Sequence, residues 1–466
     1  MIGHRSARAG RRRLLWLFPL LLALSCADLA QSRLARRILE DHRARAKVKP
    51  LPAAQVVRVR LSSPAAGAAG TEIIEWDEGN YRETVSSAGL TTVRGIQSGK
   101  GYFTDEDGVT RVASEPGLSD LLTRYYFWKR AYLFDDQADA RLSLGPADDA
   151  TVSVRLVPRG GDPLLLTFRR GDLSLASARS RGFDLEFTSP TRFRQIRPGE
   201  TSTNGQIQWV GLPTGVLADT SAGGWSARWG SDPAQAAWSR SGRDLVLPAR
   251  IGAVPVTLAL DAAADGPLRV SPSLAERLGL SFATDAFDRS VARGARLEIG
   301  GLTLPSLAVV RSGSLPPGID AATGGVLLRE TVVEIDPAGG VVRFHDPAHW
   351  VSAEGFFRVL LDDDDDRPVA ILRWKGSNLR LLGPTAIGGS IALSPEARAR
   401  MLREGGDSVS GLRWGMPLPE LPALSSDGSG SAWGEDGRLG WDLALQFHAF
   451  FDMAHRWAYL KPVGTR

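Results

Sequence analysis

Leu258 to Leu278 reads LALDAAADGPLRVSPSLAERL, and Leu381 to Leu402 reads LLGPTAIGGSIALSPEARARML. Laid over one another, Ser271-Pro272 falls on Ser394-Pro395. Each Ser-Pro opens a short helix, with the serine as N-cap and the proline at the first helical position. A second match follows. Ile319-Asp320, Gly324 to Leu328 and Val332 to Asp336 parallel Asp436-Gly437, Gly440 to Leu445 and His448 to Asp452. Each copy then closes on a strand after a turn, Val341 to Phe344 in the first and Trp457 to Leu460 in the second. Two copies of one β-rich unit, roughly 110 residues each, cover about half of the 466 residues.

This unit resembles the retropepsin-like lobe of bacterial aspartyl proteases. In that family a strand of the type hydrophobic-hydrophobic-Asp-Thr-Gly-Ala delivers the catalytic aspartate. A Ser-Pro helix ending in Leu-Gly follows, and a hydrophobic-hydrophobic-Gly-x-Asp-Phe-Leu stretch then leads to a strand ending Ile-Asp. The first copy keeps the helix ending as Arg277-Leu278-Gly279-Leu280, whereas the second reads Met401-Leu402-Arg403-Glu404-Gly405. The resemblance extends over residues 243–347 and 357–462. It implies two tandem aspartic-protease-like β-barrel lobes, at 243–350 and 351–466.

Aspartic proteolysis needs two carboxylates close enough to share one proton, because like charges a few ångströms apart cannot both ionise. In a two-lobed enzyme each lobe supplies one. The family's Asp-Thr-Gly falls here on Asp261-Ala262-Ala263 and on Pro384-Thr385-Ala386. Asp261 therefore holds the catalytic position that the resemblance implies. The threonine whose hydroxyl ties the two loops together in the family is Ala262, and the glycine that lets the loop turn tightly is Ala263. The partner position is Pro384, or Gly383 if the alignment slips by one residue, and neither carries a proton.

Three substitutes for the missing acid are conceivable. Asp265 lies four residues along a turning loop. The run Asp362 to Asp366 precedes the strand Pro368 to Trp374 and reads as a solvated hairpin or inter-lobe turn; it lacks the spacing of a calcium-binding EF-hand. Two first lobes pairing between chains would contribute Asp261 twice, after displacing the second lobe. Other chemistry finds less support. His345 and His349 are separated by Pro347 and lack the glutamate of a zinc helix, and His448 and His455 read as half-buried strand residues. No phosphate loop, nucleophile elbow or dinucleotide fingerprint is present, so neither a cofactor nor a metal is expected.

Upstream, residues 51–190 alternate apolar and polar at Val56 to Leu61, Thr151 to Val157, Leu164 to Arg169 and Phe183 to Phe187, the period of strands with one wet face. Between Ser119 and Phe134 the period changes: Leu118, Leu121, Leu122, Tyr125, Trp128 and Tyr132 recur at helical spacing, with Ser119 placed to cap. The expected fold is mainly β, a curved antiparallel sheet crossed by one helix and followed by the two lobes. Gly101 to Gly108 and Leu164 to Phe168 look similar to the periplasmic lipoprotein-carrier superfamily, whose half-barrel sheet surrounds an apolar cavity. Residues 191–242, rich in Gly and Trp, read as a connector packed against the next lobe.

At the other end, Arg5, Arg8 and Arg11 to Arg13 precede the apolar run Leu14 to Leu24 and then Ser25-Cys26. The run is too short to span a bilayer and suits a signal peptide over 1–25. Leu22-Ala23-Leu24-Ser25-Cys26 looks like a bacterial lipobox, which makes Cys26, the chain's single cysteine, the expected lipidation site; the plainer alternative is a signal peptide cut nearby. Residues 26–50 read as a basic tether, with contact to anionic headgroups as the alternative. The first fifty residues hold twelve Arg or Lys against three acids, so the formal net charge of +4 hides an acidic remainder with no basic face for nucleic acid. The expected protein is a periplasm-facing or external envelope lipoprotein, membrane-anchored through Cys26, whose inter-lobe cleft binds an extended peptide or envelope ligand without cleavage. Its alternatives are an active aspartic endopeptidase using Asp261, and lipid or lipoprotein binding by the N-terminal sheet.

Overall fold

The computed structural model describes residues 29–464 except 78, 114, 135–139, 197–201, 212–225, 265, 365–366, 388, 404–411, 419–424 and 427–434. Cys26, the signal-peptide reading and Asp265 lie outside the described residues. No helix among them is long and apolar enough to cross a membrane.

The first unit is a thirteen-stranded antiparallel sheet built from Gln55 to Gly211. Neighbouring strands follow chain order, and the sheet is joined at its middle where the first strand, Gln55–Ser62, pairs with the last, Thr203–Gly211. Val57, Val59 and Leu61 are buried and alternate with exposed Arg58 and Arg60, so one face is dry. The expected boundary at 190 is too early. Arg192–Gln195 and Thr203–Gly211 are strands of this sheet, because without them Gln55–Ser62 would expose an unpaired edge in its centre. The helix runs over Glu115–Trp128, starting before Ser119, whose hydroxyl donates to the carbonyl of Gly160 at 2.9 Å rather than capping. Leu121, Phe127 and Trp128 bury its inner face.

Residues 29–45, read from sequence as a tether, form a helix. Its Ala35, Leu39 and His42, spaced by four and three residues, are buried against the sheet, and His42 Nδ1 lies 2.6 Å from the carbonyl of Leu173. Its basic residues are largely exposed on the remaining surface, which is why the composition alone suggested a solvated linker.

The two lobes share one hydrophobic core. Their closing hairpins, Val332–Asp336 with Val341–His345 and Phe447–Asp452 with Trp457–Pro462, meet in a common sheet. Val333 pairs with Phe451 and Ile335 with Ala449, which places a pseudo-two-fold axis between Glu334 and Phe450. Asp362, expected in a solvated turn, instead sits in the strand Phe357–Asp364 and binds Arg380 and Arg456.

Glu334 is buried at this axis. His345 Nε2 lies 2.8 Å from one of its oxygens and His448 Nε2 2.7 Å from the other, while Arg343 donates to it at 2.5 Å. Glu334, Asp336 and His448 stand close enough to hold a cation, and the Arg343 guanidinium, bonded to both carboxylates, supplies that charge. Burial works against ionisation of Glu334, but His345, His448 and Arg343 hold its pKa down to about 2. A depressed carboxylate stabilises the fold above its unfolded pKa and loses that contribution as pH falls toward its folded one. We predict that Glu334→Gln removes about 3 kcal/mol of stability at pH 7 and almost none at pH 2. Urea unfolding across this range should show the two proteins converging between about pH 4.5 and 2.

Candidate functional site

The strand Val254–Leu260 carries Asp261 at its end. Leu258, Ala259 and Leu260 are buried and pair in parallel with Ala321, Ala322 and Thr323, the position of a central strand covered on both faces. Asp320 holds this arrangement. Its backbone amide donates to the carbonyl of Thr257 at 3.0 Å, its Oδ2 accepts from the amide of Thr257 at 2.9 Å, and its carbonyl accepts from the amide of Ser271 at 2.8 Å. Its other oxygen binds Arg277 at 3.1 Å.

The second lobe repeats each bond. Asp436 exchanges backbone and side-chain bonds with Arg380 at 2.7 and 2.9 Å, accepts from the amide of Ser394 at 2.8 Å and binds Arg400 at 2.7 Å. Ser271 and Ser394 cap their helices onto Leu274 and Ala397, each at 3.2 Å. The second helix is Pro395–Arg403, and the first ends on Gly279, whose φ of 61° suits glycine. Thr257 and Arg380 are thus structural counterparts. Four residues beyond them stand Asp261 in one lobe and Pro384 in the other.

The two loops touch through backbone. The amide of Ala262 donates to the carbonyl of Pro384 at 3.0 Å, so a main-chain bond spans the lobes beside Asp261. Gly324 packs underneath: a Cβ there would fall 1.7 Å from the carbonyl oxygen of Asp261. The Asp261 carboxylate is occupied on both oxygens. Oδ2 accepts from Arg269 Nη2 at 2.7 Å, and Oδ1 from the amide of Ala263 at 3.2 Å.

Asp244, which the sequence reading did not single out, is an acid that feels the charge of Asp261. Burial first, and then the negative charge of Asp261, push its pKa up, while Arg240 and Arg269 oppose the shift. Among the described residues the two carboxylates make no hydrogen bond to each other. Of the histidines weighed from sequence, His345 and His448 bind Glu334 on the shared sheet, and His349 and His455 face aspartates at the surface.

Beyond Asp261 the chain passes through Gly266 and Pro267 into the strand Leu268–Val270, and this segment walls a cavity of about 660 Å³. Arg94, Phe103 and Leu121 line it from the N-terminal sheet and its helix, Arg269 and Phe287 from the first lobe, and Arg367 from the second. The sheet and the first lobe are locked together around it. Ala286 and Phe287 insert into the core of the sheet, where the Ala286 amide donates to Ser87 Oγ at 2.7 Å and its carbonyl accepts from Thr203 Oγ1 at 3.1 Å. Across the same junction Arg289 binds Glu106 at 2.6 Å, and Asp107 accepts from the amide of Ala308.

No protein-family model matches the sequence, and no curated protein matches it. Among solved structures, the aspartic proteinase from Irpex lacteus is similar over 51% of this chain and 98% of its own, at 11% identity and a TM-score of 0.34. A DUF1329 family protein from Desulfovibrio piger covers 40% of this chain and 95% of its own, at 13% identity and a TM-score of 0.23. A chain of the MucA/MucB complex of Pseudomonas aeruginosa covers 62% of this chain and 99% of its own, at 12% identity and a TM-score of 0.15. These are weak, partial likenesses.

The geometry under Asp261 makes a direct prediction. Gly324→Ala should cost on the order of 3 kcal/mol in urea unfolding, because backbone cannot yield as a side chain does. A comparable change at Gly171, whose added Cβ would meet open space, should cost less than about 1 kcal/mol.

Proposed function

We propose that this is a lipid-anchored envelope protein, tethered to the membrane through Cys26, that binds a peptide segment between its sheet and its tandem lobes without hydrolysing it. The observation that carries this reading is the ion pair of Asp261 with Arg269, opposite a proline. A protease dyad needs one protonated and one ionised carboxyl in contact. Here a guanidinium takes one oxygen of Asp261 and a backbone amide the other, and the counterpart position has no titratable group. Water held at Asp261 would find no acid at the counterpart position to protonate the departing amine. Pairing of two first lobes between chains is disfavoured by the core and sheet that the two lobes share, since displacing the second lobe would open both.

Peptide capture requires less. Backbone groups and side-chain pockets suffice, and a cavity of about 660 Å³ lies within the usual range for ligand sites. A second reading, residual endopeptidase activity, rests on Asp244, a further carboxyl that feels the charge of Asp261.

The deciding measurement is digestion of a peptide library between pH 3 and 7, the range over which a shared-proton pair titrates. Native protein, Asp261→Asn and Asp244→Asn should all leave the library intact. Pepstatin-sensitive cleavage by the native protein, abolished by either change, would replace the binding reading with the proteolytic one.

A further inference from the structure

Four arginines at the cavity make six ion pairs in which the guanidinium is the more exposed partner. Arg94 is 23% exposed and its partner Glu83 is fully buried. Arg111 is 20% exposed, against 6% for Asp105 and 12% for Glu330. Arg269 is 32% exposed and Asp261 20%. Arg289 is 19% exposed, against 1% for Asp285 and 16% for Glu106. All four arginines line the cavity. Arg124 and Arg329 line it as well, paired with Asp120 and Asp105 without that ordering, and with Arg367 the wall carries seven arginines against the carboxylates of Asp105, Glu106, Asp120 and Asp285. The lining therefore carries an excess of positive charge, and an incoming anion is drawn to it by an attraction that falls with distance.

Arg269 adds a separate sign of an absent partner. Its Nε is buried and has no hydrogen-bond partner among the described residues, although its Nη2 holds Asp261. A guanidinium has five donors in a fixed fork, and a second carboxylate on the Nε side would satisfy it. Between the cations lie Leu90, Phe103, Phe183 and Phe287, which offer apolar surface.

Building on the binding reading above, we propose that the cavity ligand is an acidic peptide segment, with carboxylates separated by apolar side chains. Arg94, Arg111, Arg269 and Arg289 receive the carboxylates, and Asp261 acts as a built-in competitor for Arg269. The four cations stand on four separate segments of two folded units. That distribution favours a chain with several anionic groups over a lipid with one head.

The test uses the full chain and a fluorescein-labelled synthetic peptide of sequence Phe-Glu-Leu-Asp-Phe, followed by fluorescence anisotropy. The same peptide with Gln and Asn in place of Glu and Asp serves as the neutral isostere. The acidic form should bind at least tenfold more tightly than the neutral one, and the difference should shrink as salt is raised. Arg269→Gln should weaken the acidic peptide by about tenfold and leave the neutral one unchanged. Should that variant fold poorly, the double change Arg269→Gln with Asp261→Asn keeps the local charge balanced and should show the same selective loss. Equal affinity for the two peptides would overturn the proposal. So would binding of palmitate with no binding of either peptide. Mass spectrometry of the bound peptide separates the two levels of inference: cleavage would sink the non-hydrolytic reading while leaving the charge preference standing.

Discussion

Where Val332–Asp336 lies against Phe447–Asp452, backbone pairing fixes one lobe on the other, and what can face Asp261 is settled there. The strands cross about an axis between Glu334 and Phe450, so equivalent elements of the two lobes are brought to opposite sides of one junction. The Asp320 and Asp436 brackets then hold each lobe's central strand in register, and a main-chain bond from Ala262 to Pro384 spans the gap. Nothing in this framework depends on a second acid. A scaffold held by backbone bonds and carboxylate brackets stands with an aspartate at one of these positions and a proline at the other.

The same logic explains where the charges sit. Buried carboxylates are costly unless paired and hydrogen-bonded. Glu83 shows how this protein meets the requirement: Arg94, Arg124 and the hydroxyl of Tyr81 surround it, and despite its burial the two cations hold it down to about 2. Burial and the charge of Glu83 push the adjoining Glu72 up to about 8, so that it stays protonated and shares its hydrogen with Glu83. The arginines needed to satisfy such groups are long, and their heads reach the nearest space. At the junction of sheet and lobe that space is the cavity.

Much of the lobed half could be read from sequence because its signals are local and occur twice. Ser271-Pro272 and Ser394-Pro395, Ile319-Asp320 and Asp436, and the closing strands recur in order, and Asp261 with its counterpart Pro384 followed by counting. The parts that escaped are tertiary. Arg269 lies eight residues past Asp261 in a short apolar strand, and only the fold brings its head back to that carboxylate. Asp244 begins the strand before, with no motif of its own. The helix at 29–45 shows three inward residues among many basic ones, so its charge masked its periodicity. Arg192–Gln195 and Thr203–Gly211 look like parts of a linker by composition, yet they close the first sheet.

Ala286 and Phe287 belong by chain order to the first lobe and by packing to the sheet that precedes it. An apparent seam in the sequence is therefore not a seam in three dimensions. Excising the sheet would strand a bare phenylalanine on the remaining half, and expressing the sheet by itself would leave a hole where that ring belongs. The smallest piece that keeps its interior whole is the sheet together with both lobes.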